Sequence, residues 1–217
     1  MQLFLDGSEI DKIIEYNNIG ILDGITTNPS IILKSGRNVF EVVSEITEIV
    51  KGSVSVEVSA TGREEMYLEG KKLSEIAENV TVKLPITWEG LAACKRLSDE
   101  GKSVNMTLCF SSSQALLAAK ANASFVSPFI GRLDDSNQDG ASLISEIKKI
   151  YINFGFNTKI LAASIRTINH VKECAVLGAD VATIPVNVFD KLIKHPLTDS
   201  GLKQFSNDWN KTGQSIL

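Results

Sequence analysis

The sequence predicts a (β/α)₈ barrel, the TIM-barrel fold in which eight parallel strands are each followed by a helix. Short apolar segments alternate with amphipathic segments along all 217 residues, and this alternation is typical of βα units around a parallel sheet. Eight apolar segments occur, and no linker or low-complexity tract divides them. We therefore expect a single domain over residues 1–217, with a doubly wound open sheet as the alternative.

The predicted strands are short runs of β-branched and other apolar residues bounded by turn-forming residues. In chain order they are Gln2–Leu5, Gly24–Thr27, Val54–Val58, Val80–Leu84, Val104–Thr107, Ser124–Pro128, Lys159–Ala162 and Val181–Ile184. Between them, apolar residues recur at helical spacing within Val39–Val50 and Leu143–Phe154. Capping-box patterns that begin at Thr61 and Ser111 indicate helix starts, and Gly178 fits the end of a helix.

A final helix is predicted after Pro196, beyond the eight βα units. Leu202, Phe205 and Trp209 line one side of this helix. Their side chains would cover either the barrel or a neighbouring subunit, and the sequence pattern does not choose between these two partners.

Composition argues against several classes of function. The net charge of −4, the pI of about 5.3 and the interspersed basic residues predict no nucleic-acid partner. No apolar run approaches the ~20 residues of a membrane span and no signal-peptide pattern is present, so we expect a cytoplasmic protein without membrane association. Cys94, Cys109 and Cys174 form no CxxC pair and His170 lies far from His195, which argues against a metal site or a disulfide framework. We interpret both histidines as surface or capping residues.

The most informative segment is Val80–Thr87, which places one lysine, Lys83, in the middle of an apolar run that resembles a buried strand. Burial disfavours the ammonium form and lowers the pKa of a lysine amine, so a neutral nucleophile becomes accessible near neutral pH. Such an amine can form a Schiff base with a carbonyl group. In the alternative interpretation, only the stem is buried and the ammonium group reaches solvent or pairs with a carboxylate.

Further polar residues fall at or just beyond the C-terminal ends of the predicted strands, where barrel enzymes carry their active sites. They are Asp6, Asn28, Glu57, Asn105, Thr107, Ser127, Arg132, Ser164 and Arg166. Each has an ordinary structural interpretation by itself, such as a cap, a turn or a surface ion pair. Together with Lys83 they supply the groups of a Schiff-base aldol reaction: carboxylates that move protons, and two arginines that can clamp a phosphate group.

Several segments resemble the transaldolase family, in order and at similar spacing, over essentially the whole chain. They are Leu5-Asp6, Thr26–Ser30, Val82–Pro85, Asn105–Leu108, Ser127–Arg132 and Ala163–Arg166. The length is similar to that of the small subfamily that also contains fructose-6-phosphate aldolases. The resemblance implies a (β/α)₈ barrel, a Schiff base on Lys83, no cofactor, and homo-oligomers that are pentamers or decamers, in which the terminal helix reaches a neighbour.

The resemblance also implies a role for each matching residue. Asp6 would be the acid/base for cleavage of the carbon–carbon bond, while Glu57, with Thr107 and a water molecule, would handle protons during Schiff-base formation. Donor hydroxyl groups, or the lysine itself, would be held by Asn28, Asn105 and Ser127. The phosphate group would be bound by Arg132, Ser164 and Arg166. Gly7 departs from many relatives, and we expect it to loosen the loop that aims Asp6.

Two positions favour group transfer over simple cleavage. Small-subfamily aldolases resemble this chain but carry glutamine at the position of Glu57 and tyrosine at that of Phe129. Phe129 has no acidic proton to give to the carbanion, so the bound three-carbon unit would wait for an acceptor aldehyde. Glu57 adds a titratable group, whereas glutamine cannot exchange a proton in this role.

The sequence therefore predicts a transaldolase of the non-oxidative pentose phosphate pathway. It would move a dihydroxyacetone unit from sedoheptulose 7-phosphate or fructose 6-phosphate to erythrose 4-phosphate or glyceraldehyde 3-phosphate. A fructose-6-phosphate aldolase is the nearest alternative. A non-catalytic barrel that binds sugar phosphates is the alternative from another functional class.

Overall fold

Eight parallel strands close into a barrel in the computed structural model, which describes residues 1–217. The strands are β1 (Gln2–Asp6), β2 (Gly24–Thr26), β3 (Ser53–Glu57), β4 (Val80–Pro85), β5 (Val104–Cys109), β6 (Phe125–Pro128), β7 (Lys159–Ala162) and β8 (Val181–Pro185). Each strand pairs with its neighbours in the sequence, and β8 pairs with β1, so the sheet has no free edge. The predicted (β/α)₈ barrel is confirmed, and the open sheet was the wrong alternative.

Helices surround the barrel and connect its strands. They are α1 (Ile10–Ile19), α2 (Pro29–Ser35), α3 (Val39–Ile49), α4 (Arg63–Ser74), α5 (Trp88–Asp99), α6 (Ser112–Lys120), α7 (Ile130–Asp135), α8 (Gly140–Phe154), α9 (Ile168–Leu177), α10 (Val186–Phe189) and α11 (Pro196–Thr212). The two segments with helical spacing form α3 and α8, and α11 is the predicted C-terminal helix. None of these helices combines the length and the apolar character that a membrane span requires.

The helix boundaries follow local hydrogen bonds. Ser111 caps α6 because its hydroxyl group accepts from the backbone N–H of Gln114. Gly178 ends α9 in the left-handed conformation, with φ of 88°. The capping box at Thr61 was wrong: α4 begins at Arg63 after Gly62, without a side-chain cap.

Aromatic side chains fill part of the barrel interior below the C-terminal ends of the strands. Phe4 and Phe125 are both buried, and their ring centroids lie 6.1 Å apart. Gly24 makes room for them, because a Cβ atom there would lie 2.6 Å from the ring of Phe4. The interior of the barrel is therefore apolar and closely packed below the polar residues at the C-terminal ends of the strands.

Candidate active site

A cavity of about 480 Å³ opens at the C-terminal end of the barrel. Nine of the predicted site residues line it: Asp6, Asn28, Glu57, Lys83, Ser127, Phe129, Arg132, Ser164 and Arg166. The two others, Asn105 and Thr107, are fully buried in β5 and do not line the cavity. One cavity therefore brings together a lysine, two carboxylates and two arginines, which come from strands, a helix and loops spread along the chain.

Lys83 is both buried and paired with a carboxylate, so features of both sequence interpretations occur together. The residue is 5% exposed. Its Nζ lies 3.1 Å from Oε2 of Glu57 and donates a hydrogen bond to the carbonyl oxygen of Thr27, also at 3.1 Å. Glu57 and Lys83 are register partners on neighbouring strands, which explains why both side chains point into the barrel. Glu57 is thus within direct proton-transfer distance of the amine.

Asp6 lies at the end of a chain of hydroxyl groups. Thr26 donates to Oδ1 of Asp6 at 2.8 Å, and the hydroxyl oxygens of Thr26 and Thr183 are 2.6 Å apart. Because the Thr26 proton is directed at the carboxylate, Thr183 is the donor in the second bond. Burial raises the pKa of Asp6, and this effect exceeds the opposing effects of the Thr26 hydrogen bond and the Lys83 charge.

The sequence analysis assigned no role to Thr26 or Thr183, although both line the cavity. Thr26 is the register partner of Asp6, and Thr183 lies in the middle of β8. A usable signal existed for Thr183, because it is the single polar residue among the apolar residues of that strand. For Thr26, the signal is its pairing with Asp6, which requires knowledge of the register.

Asn105 and Ser127 form a buried hydrogen-bonded pair, of which only Ser127 lines the cavity. The hydroxyl group of Ser127 donates to Oδ1 of Asn105 at 2.7 Å, and Nδ2 of Asn105 donates to the hydroxyl oxygen of Ser55 at 3.3 Å. Thr107 is different, because its buried hydroxyl oxygen makes no hydrogen bond within the protein. Its capacity to donate and to accept is therefore free, an uncommon state for a buried hydroxyl group.

Asn28 has a structural role as well as a place in the cavity wall. Its Oδ1 caps α2 by accepting from the backbone N–H of Ile31 at 3.0 Å. This bond fixes the orientation of the amide and leaves its Nδ2 group as the donor available to the cavity.

Gly7 is tied to the neighbouring strand, although we expected it to loosen the loop after Asp6. Its backbone N–H donates to the carbonyl oxygen of Thr26 at 3.1 Å. A Cβ atom at this position would lie 2.4 Å from the carboxylate of Glu9, a flexible side chain. The surroundings thus permit a small side chain here once Glu9 moves.

The two arginines approach the cavity from adjacent segments, α7 and the loop after β7. The guanidinium group of Arg132 lies 5.1 Å from the ring centroid of Phe129, in a cation–π arrangement. The close approach of the two segments depends on Gly131, because a Cβ atom there would lie 2.0 Å from the carbonyl oxygen of Ser164. A substitution at Gly131 would therefore push Arg132 and Arg166 apart.

Strained backbone occurs at two residues of the cavity wall. Leu108 and Ser164 have φ values of 58° and 59°, in the left-handed region that such residues rarely adopt. Leu108 falls where the register between β5 and β6 shifts. Strain of this kind clusters at functional sites, which makes this cavity a candidate active site. We had assigned no function to Leu108, and a leucine in an apolar run gives no sign of this conformation.

The cysteines lie apart from this chemistry. Cys94, Cys109 and Cys174 are free and buried, and burial raises the pKa of each thiol to about 12. Such thiols are poor nucleophiles. No group of three or more histidine, cysteine, aspartate or glutamate side chains is arranged to hold a metal ion.

Comparison with known proteins gives one consistent result. The model of the Transaldolase/Fructose-6-phosphate aldolase family matches residues 3–216. A probable transaldolase of Roseobacter denitrificans is 63% identical over 217 residues, and one of Dinoroseobacter shibae is 62% identical over 217 residues, each alignment covering 100% of both chains. A probable transaldolase of Brucella ovis is 58% identical over 216 residues, again covering 100% of both chains. The chain therefore belongs to the transaldolase/fructose-6-phosphate aldolase family.

Proposed function

We propose that this protein is a transaldolase that transfers a dihydroxyacetone unit from a ketose phosphate to an aldose phosphate through a Schiff base on Lys83. The donor would be sedoheptulose 7-phosphate or fructose 6-phosphate, and the acceptor erythrose 4-phosphate or glyceraldehyde 3-phosphate. One observation carries the proposal: the buried Lys83–Glu57 pair, 3.1 Å apart, shares a cavity with Asp6 and two arginines. The names of the full-length relatives agree with it.

In the first step, Lys83 attacks the keto carbon of the donor. Glu57 takes a proton from the ammonium group, and the neutral amine adds to the carbonyl carbon to form a carbinolamine. Glu57 then returns the proton to the departing hydroxyl group, which leaves as water, and an iminium ion remains. The family resemblance gives Thr107 the role of holding a water molecule for this exchange; its hydroxyl group has no partner within the protein, although it does not line the cavity.

In the second step, Asp6 removes a proton from the hydroxyl group on the carbon that the breaking bond joins to the three-carbon unit, and this carbon becomes the aldehyde carbon of the leaving aldose phosphate. The electrons of that bond move into the iminium group, so an aldose phosphate leaves and an enamine stays on Lys83. The hydrogen bond from Thr26 keeps the carboxylate of Asp6 aimed at this proton. An acceptor aldehyde reverses the same steps and carries the three-carbon unit away, so no step requires a cofactor.

The remaining residues would bind the substrate. Arg132, Ser164 and Arg166 would bind its phosphate group, because two guanidinium groups can make several charge-assisted hydrogen bonds to phosphate oxygens. Asn28 and Ser127 would hold hydroxyl groups of the donor, whereas Asn105, which does not line the cavity, would orient Ser127 and lies beside Lys83, its register partner. Residues 1–217 would act as one catalytic domain, and the three unpaired cysteines suit a cytoplasmic protein.

A transaldolase should release glyceraldehyde 3-phosphate from fructose 6-phosphate rapidly only when an acceptor is present. We expect this because Phe129 offers no proton to the enamine, which then waits for an aldehyde. The measurement is release of glyceraldehyde 3-phosphate with and without erythrose 4-phosphate. Equal release in both cases would identify an aldolase, and no release in either case would favour the non-catalytic barrel.

A Phe129→Tyr variant provides the matched comparison in the same assay. A tyrosine hydroxyl group can donate a proton to the enamine carbon and release free dihydroxyacetone. Release without an acceptor should therefore rise by roughly tenfold or more, within the range of general acid catalysis. A Phe110→Tyr variant adds the same hydroxyl group to the ring that packs against Phe129, at a centroid distance of 5.8 Å, and should leave acceptor dependence unchanged.

We also propose that the protein is a homo-oligomer in which α11 packs against a neighbouring copy. Within one chain α11 has no buried residue: Leu202 is 64%, Phe205 71% and Trp209 44% exposed. The barrel thus leaves this apolar stripe uncovered, and a second copy is the partner that the family resemblance implies, in pentamers or decamers.

A charge placed in this stripe should dissociate the oligomer. Phe205→Glu would bury a carboxylate without a partner in the proposed interface, so smaller species should appear in sedimentation velocity at micromolar concentration. Gln204→Glu adds the same charge at the neighbouring exposed position and should leave the distribution unchanged. A wild-type protein that sediments as a monomer would refute the proposal.

A further inference from the structure

His170 connects the two segments that carry the cavity's arginines. Its Nδ1 accepts a hydrogen bond from the backbone N–H of Arg166 at 3.3 Å, and its Nε2 lies 3.1 Å from Oδ2 of Asp134. Arg166 follows β7, whereas Asp134 belongs to α7, the helix of Arg132. Our interpretation of His170 as a surface or capping residue was incomplete, since its side chain is 15% exposed and bridges two elements.

The hydrogen bonds define which form of the ring fits. A nitrogen that accepts from a backbone N–H carries no proton, so the neutral ring has its proton on Nε2 and donates it to Asp134. The other oxygen of Asp134 accepts from the backbone N–H of Gly140 at 2.9 Å, at the start of α8. A single carboxylate thus fixes the arginine-bearing helix, the histidine and the next helix together.

The segment that His170 holds needs such support. Ser164, two residues before Arg166, has a φ of 59°, a strained conformation that persists only where the surroundings impose it. The guanidinium group of Arg166 is half-exposed and pairs with Asp135 at 3.1 Å. Exposed ion pairs of this kind contribute little to stability. The backbone N–H of Arg166 adds a second anchor, because it donates to the ring of His170, whose side chain is only 15% exposed.

We propose that His170 and Asp134 are positioning residues that hold Arg132 and Arg166 at the spacing needed to bind one phosphate group. Neither residue lines the cavity, so neither would contact the reacting atoms. Their effect would be on affinity for the phosphate group, and formation of a Schiff base with an unphosphorylated ketone would not depend on them. This inference rests on the proposed function for the identity of the substrate, but the quantity that it predicts is the affinity of the protein for a phosphate group.

Two measurements separate the inference from the proposed function. Calorimetric titration with inorganic phosphate tests the arginines directly, and borohydride trapping of dihydroxyacetone tests Lys83 without any phosphate group. In His170→Ala and Asp134→Asn we expect the Kd for phosphate to rise by about tenfold, as when a charge-assisted hydrogen bond is misaligned. Trapping of dihydroxyacetone should be unchanged. If the Kd for phosphate in both variants stays within about twofold of the wild-type value, the inference is overturned.

Conservative and neighbouring variants complete the design. In His170→Asn, the amide oxygen can occupy the place of Nδ1 and keep the bond to the Arg166 backbone, so phosphate affinity should be partly restored. Asn169→Ala removes an exposed side chain from the same helix and should leave phosphate affinity at the wild-type value. A loss of affinity in Asn169→Ala as large as in His170→Ala would also overturn the inference. If wild-type protein binds phosphate but does not trap dihydroxyacetone, the proposed function fails, while the phosphate comparison still decides the role of His170.

Discussion

Replacement of Lys83 with alanine should reduce transfer from fructose 6-phosphate to erythrose 4-phosphate by at least roughly a thousandfold, as expected when a covalent nucleophile is removed. No other lysine lines the cavity, so no second amine can take its place. Borohydride should trap a covalent adduct with dihydroxyacetone in the wild-type protein and none in the variant. Both effects follow from the same missing amine.

The control for this substitution is Lys95→Ala. Lys95 lies on α5 and forms an exposed ion pair with Asp99, so the variant loses a lysine without any change in the cavity. It should retain wild-type transfer and trapping. Sugar-phosphate binding should persist in Lys83→Ala because the arginines remain, and an unchanged turnover rate in this variant would rule out the Schiff base on Lys83.

Replacement of Asp6 with asparagine should lower transfer by roughly 10²–10⁴-fold while making the folded protein more stable. The amide can still accept the hydrogen bond from Thr26, but it cannot remove a proton from the substrate hydroxyl group. Trapping of dihydroxyacetone should be retained, because that step uses Lys83 and Glu57. The variant therefore separates cleavage of the carbon–carbon bond from formation of the Schiff base.

The gain in stability follows from the raised pKa of Asp6. Because the folded state binds this proton more tightly than the unfolded state, the stability that Asp6 contributes is greatest at low pH and falls as pH rises from the unfolded pKa through the folded pKa. Above the unfolded pKa, keeping this desolvated carboxyl group in the folded protein costs free energy, and asparagine removes this cost. We expect a Tm increase of roughly 2–4 °C at pH 7, which about 1 kcal/mol produces in a chain of this size.

Calorimetric scans at several pH values test both the size and the sign. The difference in Tm between Asp6→Asn and wild-type protein should shrink as pH falls toward the unfolded pKa of aspartate. Asp11→Asn, an exposed substitution in the first turn of α1, should give no increase at any pH. A Tm difference that grows on acidification would contradict the argument.

The sequence was sufficient for features that local patterns encode. The alternation of strand and helix patterns predicted the barrel, and the apolar run around Lys83 indicated a buried lysine. Both patterns are visible in the sequence because a buried strand requires apolar residues along its whole length. The pairing of Lys83 with Glu57 was open from the pattern alone. It depends on the register between β3 and β4, which two separate segments set together.

The residues that the sequence analysis missed depend on contacts between distant segments. Thr183 is 157 residues away from Thr26, and their hydrogen bond exists only because the barrel closes. The conformation of Leu108 arises from a register shift against β6, and leucine itself shows no preference for it. The sequence analysis interpreted His170 as a surface or capping residue, because its contact with Asp134 exists only in the folded protein.

Closure of the barrel has a consequence for how the protein gains activity during synthesis. Asp6 belongs to the first strand and Arg166 follows the seventh, and β1 is held in place on one side by β8, the last strand to leave the ribosome. A partly synthesised chain can contain Lys83 and Glu57, but it lacks the arginines and the strand that completes the wall beside Asp6. We therefore expect activity to begin only when the whole barrel has been made. Until then Lys83 does not lie in an organised site, so the chain does not bind aldehydes of the cell before it is also able to release them.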